Sequence, residues 1–182
     1  QKRYEKAVDP LIKAVEYSSD KQTKVRLTYL LAQTCRAGGD NARSTKYFTD
    51  VMRMNPPYDL EFNAGINLAG VADVSSGDAA ELKKTLRRML RDSKNKEYLD
   101  QIYFALGEIE RRQGNIEGAL KLWSESVRTS TANNRQKARS YLALGEYFYN
   151  VPSYVKAQRY YDSAMFIIDN RFPDYEAISR TS

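Results

Sequence analysis

The strongest constraint on this chain is a spacing that it repeats. Tyr103-Phe104-Ala105-Leu106-Gly107 is followed by Gln113-Gly114-Asn115, then Ala119 and Trp123. Tyr141-Leu142-Ala143-Leu144-Gly145 is followed by Ala157, Tyr161 and Ala164. Each copy has an aromatic, two residues, then Leu-Gly; an Ala twelve residues after the Gly; and an aromatic four after the Ala. The copies lie 38 residues apart (145 − 107). An earlier copy runs through Leu31-Ala32, Cys35, Gly39-Asp40-Asn41, Ser44, Phe48, Val51 and Pro56, with Ala32 and Ser44 where Gly107 and Ala119 stand. A weaker one runs from Tyr58 through Phe62-Asn63-Ala64-Gly65 to Leu82, Leu86 and Met89, with a longer turn, Asp73-Val74-Ser75-Ser76-Gly77-Asp78. Units that recur this way cannot each bury an apolar face alone, so they stack.

The pattern matches the tetratricopeptide (TPR) repeat, two antiparallel helices per period of about 34 residues. The polar linker Ser130-Thr131-Ala132-Asn133-Asn134-Arg135 absorbs the excess length. Gly107 and Gly145 are expected to leave room for the facing Ala119 and Ala157. Trp123 and Tyr161 then fill the space between successive units. Ala32, Phe48, Leu106, Gly107, Ala119, Trp123, Leu144, Gly145, Ala157 and Tyr161 are therefore the expected structural positions. Gly39-Asp40-Asn41 and Gly114-Asn115 supply a helix stop and the next N-cap. At Asn150-Val151-Pro152-Ser153 the glycine is missing, and Pro152-Ser153 breaks and restarts the helix.

The expected fold is all-α, a TPR α-solenoid of about nine to ten antiparallel helices in a right-handed superhelix. Helices are expected at 4–18, 22–37, 40–54, 58–72, 78–92, 96–113, 116–130, 134–150 and 153–169, with a short one near 174–180, and no strand. Residues 1–182 read as a single solenoid. It has a half repeat at 1–20, repeats at about 22–56, 58–94, 96–131 and 134–170, and a terminal segment at 171–182. Asp9-Pro10 lies inside the first helix, which either kinks or starts there. Its Ala7, Leu11 and Ala14 match Ala157, Tyr161 and Ala164, so it reads as a second helix without its partner. Beginning on a half unit suggests a fragment of a longer protein.

The chemical inventory points away from catalysis. The 182 residues contain no histidine, the commonest general base and metal ligand. The one cysteine, Cys35, lies in an apolar helical stretch and reads as a small buried hydrophobe. No glycine-rich phosphate loop is present, and no convergent carboxylate pair stands out. No catalytic, cofactor or metal residue is expected. No apolar run approaches the roughly 18 residues of a membrane span, so the chain itself is expected to be soluble. Gln1-Lys2-Arg3-Tyr4 does not resemble a signal peptide.

In such a stack the first helix of each pair lines the concave face. The expected partner-binding residues are Tyr29, Gln33 and Arg36; Phe62 and Ile66; Phe104, Glu108 and Arg111; and Leu142, Glu146 and Tyr149. They mix aromatic, apolar and charged groups, as a protein contact does. The places where some TPR domains carry a lysine clamp for a chaperone's terminal carboxylate hold Tyr29, Phe62, Phe104 and Leu142, which argues against that ligand. The net charge is +6, concentrated at Lys83, Lys84, Arg87, Arg88, Arg91, Lys94 and Lys96. Lys84, Arg87, Arg88 and Arg91 share one helical face, read as solvated rather than as a nucleic-acid surface. Two readings compatible with such a surface are a cytosolic TPR adaptor and an RNA-binding helical repeat.

Longer stretches are more specific. Asn95-Lys96-Glu97-Tyr98-Leu99-Asp100-Gln101-Ile102 leading into Tyr103–Ile109, Gln113–Ala119, Ala157–Ala164, Asp73–Asp78 and Phe172-Pro173-Asp174-Tyr175 resemble the TPR region of PorW/SprE-type lipoproteins. Those belong to the type IX secretion and gliding machinery of Bacteroidetes. The resemblance covers roughly residues 3–180. It implies a non-catalytic scaffold at the periplasmic side of the outer membrane, linking ring components to the translocon. Its partners would be secretion-machinery proteins, and its membrane tie only an upstream lipid anchor. Cys35, inside a helical stretch, does not match a lipidation site, and the resemblance carries no binding residue over.

Overall fold

The computed structural model describes residues 2–73 and 77–169, with Phe172, Tyr175 and Ile178; for Lys2, Gly77 and Asp78 it describes the backbone alone. Every regular element among them is helical: α1 (Lys2–Tyr17), α2 (Lys21–Ala37), α3 (Asn41–Arg53), α4 (Tyr58–Val71), α5 (Gly77–Arg91), α6 (Leu99–Arg112), α7 (Ile116–Thr129), α8 (Asn134–Asn150) and α9 (Tyr154–Met165), with a 3-10 helix at Ser93–Tyr98. The chain divides into two compact units, Gln1–Leu86 and Arg87–Ser182. In the first, α1, α2, α3 and α4 pack in succession; in the second, α6, α7, α8 and α9 do.

Two turns have the same construction. After α2, Asp40 N–H donates to Cys35 O at 2.9 Å and Gly39 N–H to Arg36 O at 3.0 Å. After α6, Asn115 N–H donates to Glu110 O at 2.9 Å and Gly114 N–H to Arg111 O at 3.0 Å. This bond pair needs a left-handed residue, and Gly39 and Gly114 have φ of 84° and 80°. Asp40 and Asn115 then cap the next helix, accepting from Arg43 N–H at 2.9 Å and Gly118 N–H at 3.1 Å. The α8–α9 turn keeps only the longer bond, Ser153 N–H to Phe148 O at 2.9 Å. Pro152 has no N–H to make the shorter one.

Within each hairpin, small residues let the helices approach. Ser44 is fully buried, and its Oγ donates to Ala32 O at 3.0 Å. Gly107 packs under Trp123: a Cβ there would stand 2.6 Å from Trp123 Cδ1, but 3.4 Å from Ala119 O. The partner of the glycine is therefore the ring rather than the expected Ala119 methyl. The ring is flat and rigid and needs the gap more. Trp123 also clusters with Ala119 and Leu144, so it joins α7 to α8 as well. Phe48, Trp123 and Tyr161 are 0%, 2% and 9% exposed. In the first unit, Val8 of α1 packs with Leu31 and Cys35 of α2, supported by Leu11, Ile12 and Val15. α1 thus continues unbroken through Pro10, with apolar residues on both sides of the proline held against α2.

Ser130–Arg135 is a built joint rather than slack. Ser126 Oγ donates to Asp100 O at 2.7 Å and lies 2.7 Å from Ser140 Oγ. Ser130 Oγ reaches Asp100 Oδ2 and Asn133 O, each at 2.8 Å. Asp100, Ser126, Ser130, Gln136 and Ser140 are all buried, so this polar cluster pins α6, α7 and α8 together. The segment expected as the start of a 96–113 helix is a separate 3-10 turn. Asp92 caps it at Lys94 N–H, and buried Asn95 donates to Met89 O at 2.8 Å. The long turn expected at Asp73–Asp78 lies partly outside the described residues. So does most of the helix expected near 174–180, where Tyr175 and Ile178 are helical.

Candidate functional site

The second unit carries an open groove of about 840 Å³. Phe104, Glu108 and Arg111 of α6 line it with Leu142 and Glu146 of α8. The helical register brings these together: each set follows a spacing of three or four residues on a first helix. Leu142 and Glu146 occupy the same repeat positions as Phe104 and Glu108. Trp123 and Tyr161 form the most buried part of the lining.

The charges are unevenly matched. Arg111 Nη2 bonds Glu108 Oε2 at 3.0 Å. Arg139, also on the groove, is engaged as well. Glu146 is exposed and makes no salt bridge among the described residues. The Tyr161 phenol is pushed up, chiefly by burial and then by the Glu146 carboxylate and Tyr149. Trp123 Nε1–H is buried without an acceptor among the described residues. An unanswered donor costs about 1–3 kcal/mol.

Other expected contact residues lie elsewhere. Tyr149 is off the groove, 52% exposed, with its ring edge against Tyr154 at 5.7 Å. Tyr147 and Asn150 line the groove instead. In the first unit, Tyr29 OH accepts from Gln33 Nε2 at 3.3 Å and from Asn67 Nδ2 at 3.2 Å. Asn67 Oδ1 in turn accepts from Arg36 Nη1. Tyr29, Gln33 and Arg36 thus share one polar face with Asn67. Burial raises the Tyr29 phenol, against the opposing pull of Arg36 and Asn67. Phe62 is 5% exposed and belongs to the core; Ile66 is half-buried. Asn67 went unread because α4 carries apolar residues around most of its surface, which hides its register.

Phe172 and Ile178 also line the groove, from a segment without the repeat signature. No spacing rule marked them. Lys84, Arg87, Arg88 and Arg91 are exposed, as a solvated face would be. Arg87 Nη2 lies 3.6 Å from Glu110 Oε1, whose side chain is 8% exposed. Cys35 is buried, and burial pushes its thiol up, so it stays protonated.

Among the described residues no His, Cys, Asp and Glu gather as a metal site, and no helix is long and apolar enough to cross a membrane. The arrangement offers apolar and aromatic area, a charged rim and unanswered polar groups, which suits binding. Compared with known proteins, the chain matches no protein-family model, and no curated protein matches it.

Proposed function

We propose that this chain is a TPR-type scaffold that holds another protein in the α6–α8 groove and catalyses no reaction. One observation carries this reading: the repeat-equivalent pairs Phe104/Leu142 and Glu108/Glu146 converge on a single groove. A fold that only needed stability would have no cause to line a cleft with the same partly exposed positions of successive hairpins. The resemblance to PorW/SprE-type lipoproteins supports a place in type IX secretion, at the periplasmic side of the outer membrane, joining ring and translocon parts.

The test is site-specific photo-crosslinking from Leu142 in the intact protein in its own cells. The expected products are defined secretion-machinery proteins, lost when Glu146 and Phe104 are both replaced by lysine. Products from an outer-surface site such as Tyr17 alone, with none from Leu142 or Phe104, would sink the scaffold role of this groove.

A further inference from the structure

Resting on that reading, we infer that the groove selects a partner segment carrying an apolar side chain beside a lysine or arginine. Two observations converge on this chemistry. The groove's apolar lining includes the half-buried Phe104 and Leu142, which suits an aliphatic or aromatic anchor. Of its four charged residues, Arg111 is answered by Glu108 at 3.0 Å and Arg139 has an interaction of its own, while the Glu146 carboxylate makes no ion pair among the described residues. A cation from outside completes that set, whereas an anion meets an unanswered like charge.

The whole-chain charge runs the other way. At +6, non-specific attraction favours acidic peptides. A preference for a basic segment therefore reports the groove rather than the surface at large.

Trp123 is the only tryptophan, so its emission reports this groove alone. The probes are two short acetylated and amidated peptides with one leucine and phenylalanine stripe, flanked by lysines in one and glutamates in the other. The full chain is titrated with each, and calorimetry gives a second readout. The lysine peptide is expected to shift Trp123 emission and bind about ten-fold tighter, a difference of the size one well-placed charge pair supplies. Glu146→Gln should remove that preference, Glu146→Lys should reverse it, and Arg91→Gln should leave it intact. Glu146 is exposed, so these variants fold, and circular dichroism checks that they do. Equal binding, tighter binding of the glutamate peptide, or no binding of either overturns the inference. Crosslinks from Leu142 to a protein partner would then still uphold the scaffold reading.

Discussion

Gly107 and Trp123 are fitted to each other: a methyl group on the glycine would come within 2.6 Å of Cδ1 and 2.7 Å of Nε1 of the indole. The ring is 2% exposed and touches both hairpin helices and Leu144, so it has nowhere to retreat. Gly107→Ala should lose about 1–3 kcal/mol by overpacking, and Trp123→Ala about 3–5 kcal/mol by opening a cavity. Gly145 is the control. Its missing Cβ would meet the Tyr161 ring at 3.3 Å, a contact that yields with a small shift. Gly145→Ala gains up to about 1 kcal/mol of helix propensity and should come out near neutral. Urea melts of the three variants decide it; equal losses at the two glycines would contradict this packing.

The α6–α7 turn separates conformational strain from crowding. A Cβ on Gly114 would meet nothing within 4 Å, yet its φ is +80°. Gly114→Ala should therefore lose about 1–2 kcal/mol from backbone strain alone. Gly114→Asn should lose less, because asparagine tolerates the left-handed region. Thermal unfolding would show alanine below asparagine below glycine, and a neutral alanine would refute the strain.

Asp40 ties stability to acid. Its carboxylate is held below the ordinary aspartate value by the Arg43 backbone N–H, then by the Arg43 side chain. A depressed folded-state value means stability that is complete above the ordinary value near 4. It is lost as the pH falls through the lower folded-state value. Asp40→Asn keeps the cap but not the charge. Its stability should fall less between pH 5 and pH 2 than that of the unaltered chain. Parallel slopes for the two would remove the charge from the account.

The buried cluster at the α7–α8 joint should behave as one unit. Ser126→Ala leaves Asp100 O without the donor that reaches it at 2.7 Å and should cost about 1–3 kcal/mol. Ser140 shares the same hydroxyl contact, so Ser126→Ala and Ser140→Ala together should cost less than their sum. Strict additivity in a double-mutant cycle would show two independent bonds.

Pro10 sits exposed inside α1, where it removes one helical hydrogen bond and crowds the preceding turn. Pro10→Ala should raise stability, by up to about 3 kcal/mol. A loss would mean that the proline itself helps Val8 to reach Leu31.

The helices and turns were legible because their signals are local. Gly39 and Gly114 mark left-handed positions that side chains resist, and Asp40 and Asn115 cap within three residues. Small-to-aromatic spacing gave Phe48, Trp123 and Tyr161 as buried, since the same helical register recurs in each hairpin. What could not be read depended on tertiary choice. Ser126, Ser130 and Ser140 look like surface serines until three helix ends close around them. Tyr147 and Tyr149 are both plausible on α8, and only the packing of α9 takes Tyr149 away to Tyr154. Phe62 lies on a helix that is apolar nearly all round, so its direction had no periodic cue. Phe172 and Ile178 belong to no repeat, and their place on the groove follows from where the chain returns.

The serine joint also bears on engineering. Anyone concatenating this sequence into a longer array would be tempted to trim the extra residues between α7 and α8 to the usual period. The hydroxyls of Ser126 and Ser130 bond Asp100 from one side of that stretch, and Ser140 on the other side holds Ser126. Shortening it would strand a carboxylate inside the protein. The transferable module is the 38-residue period with its serines, and arrays built on it should inherit its pitch.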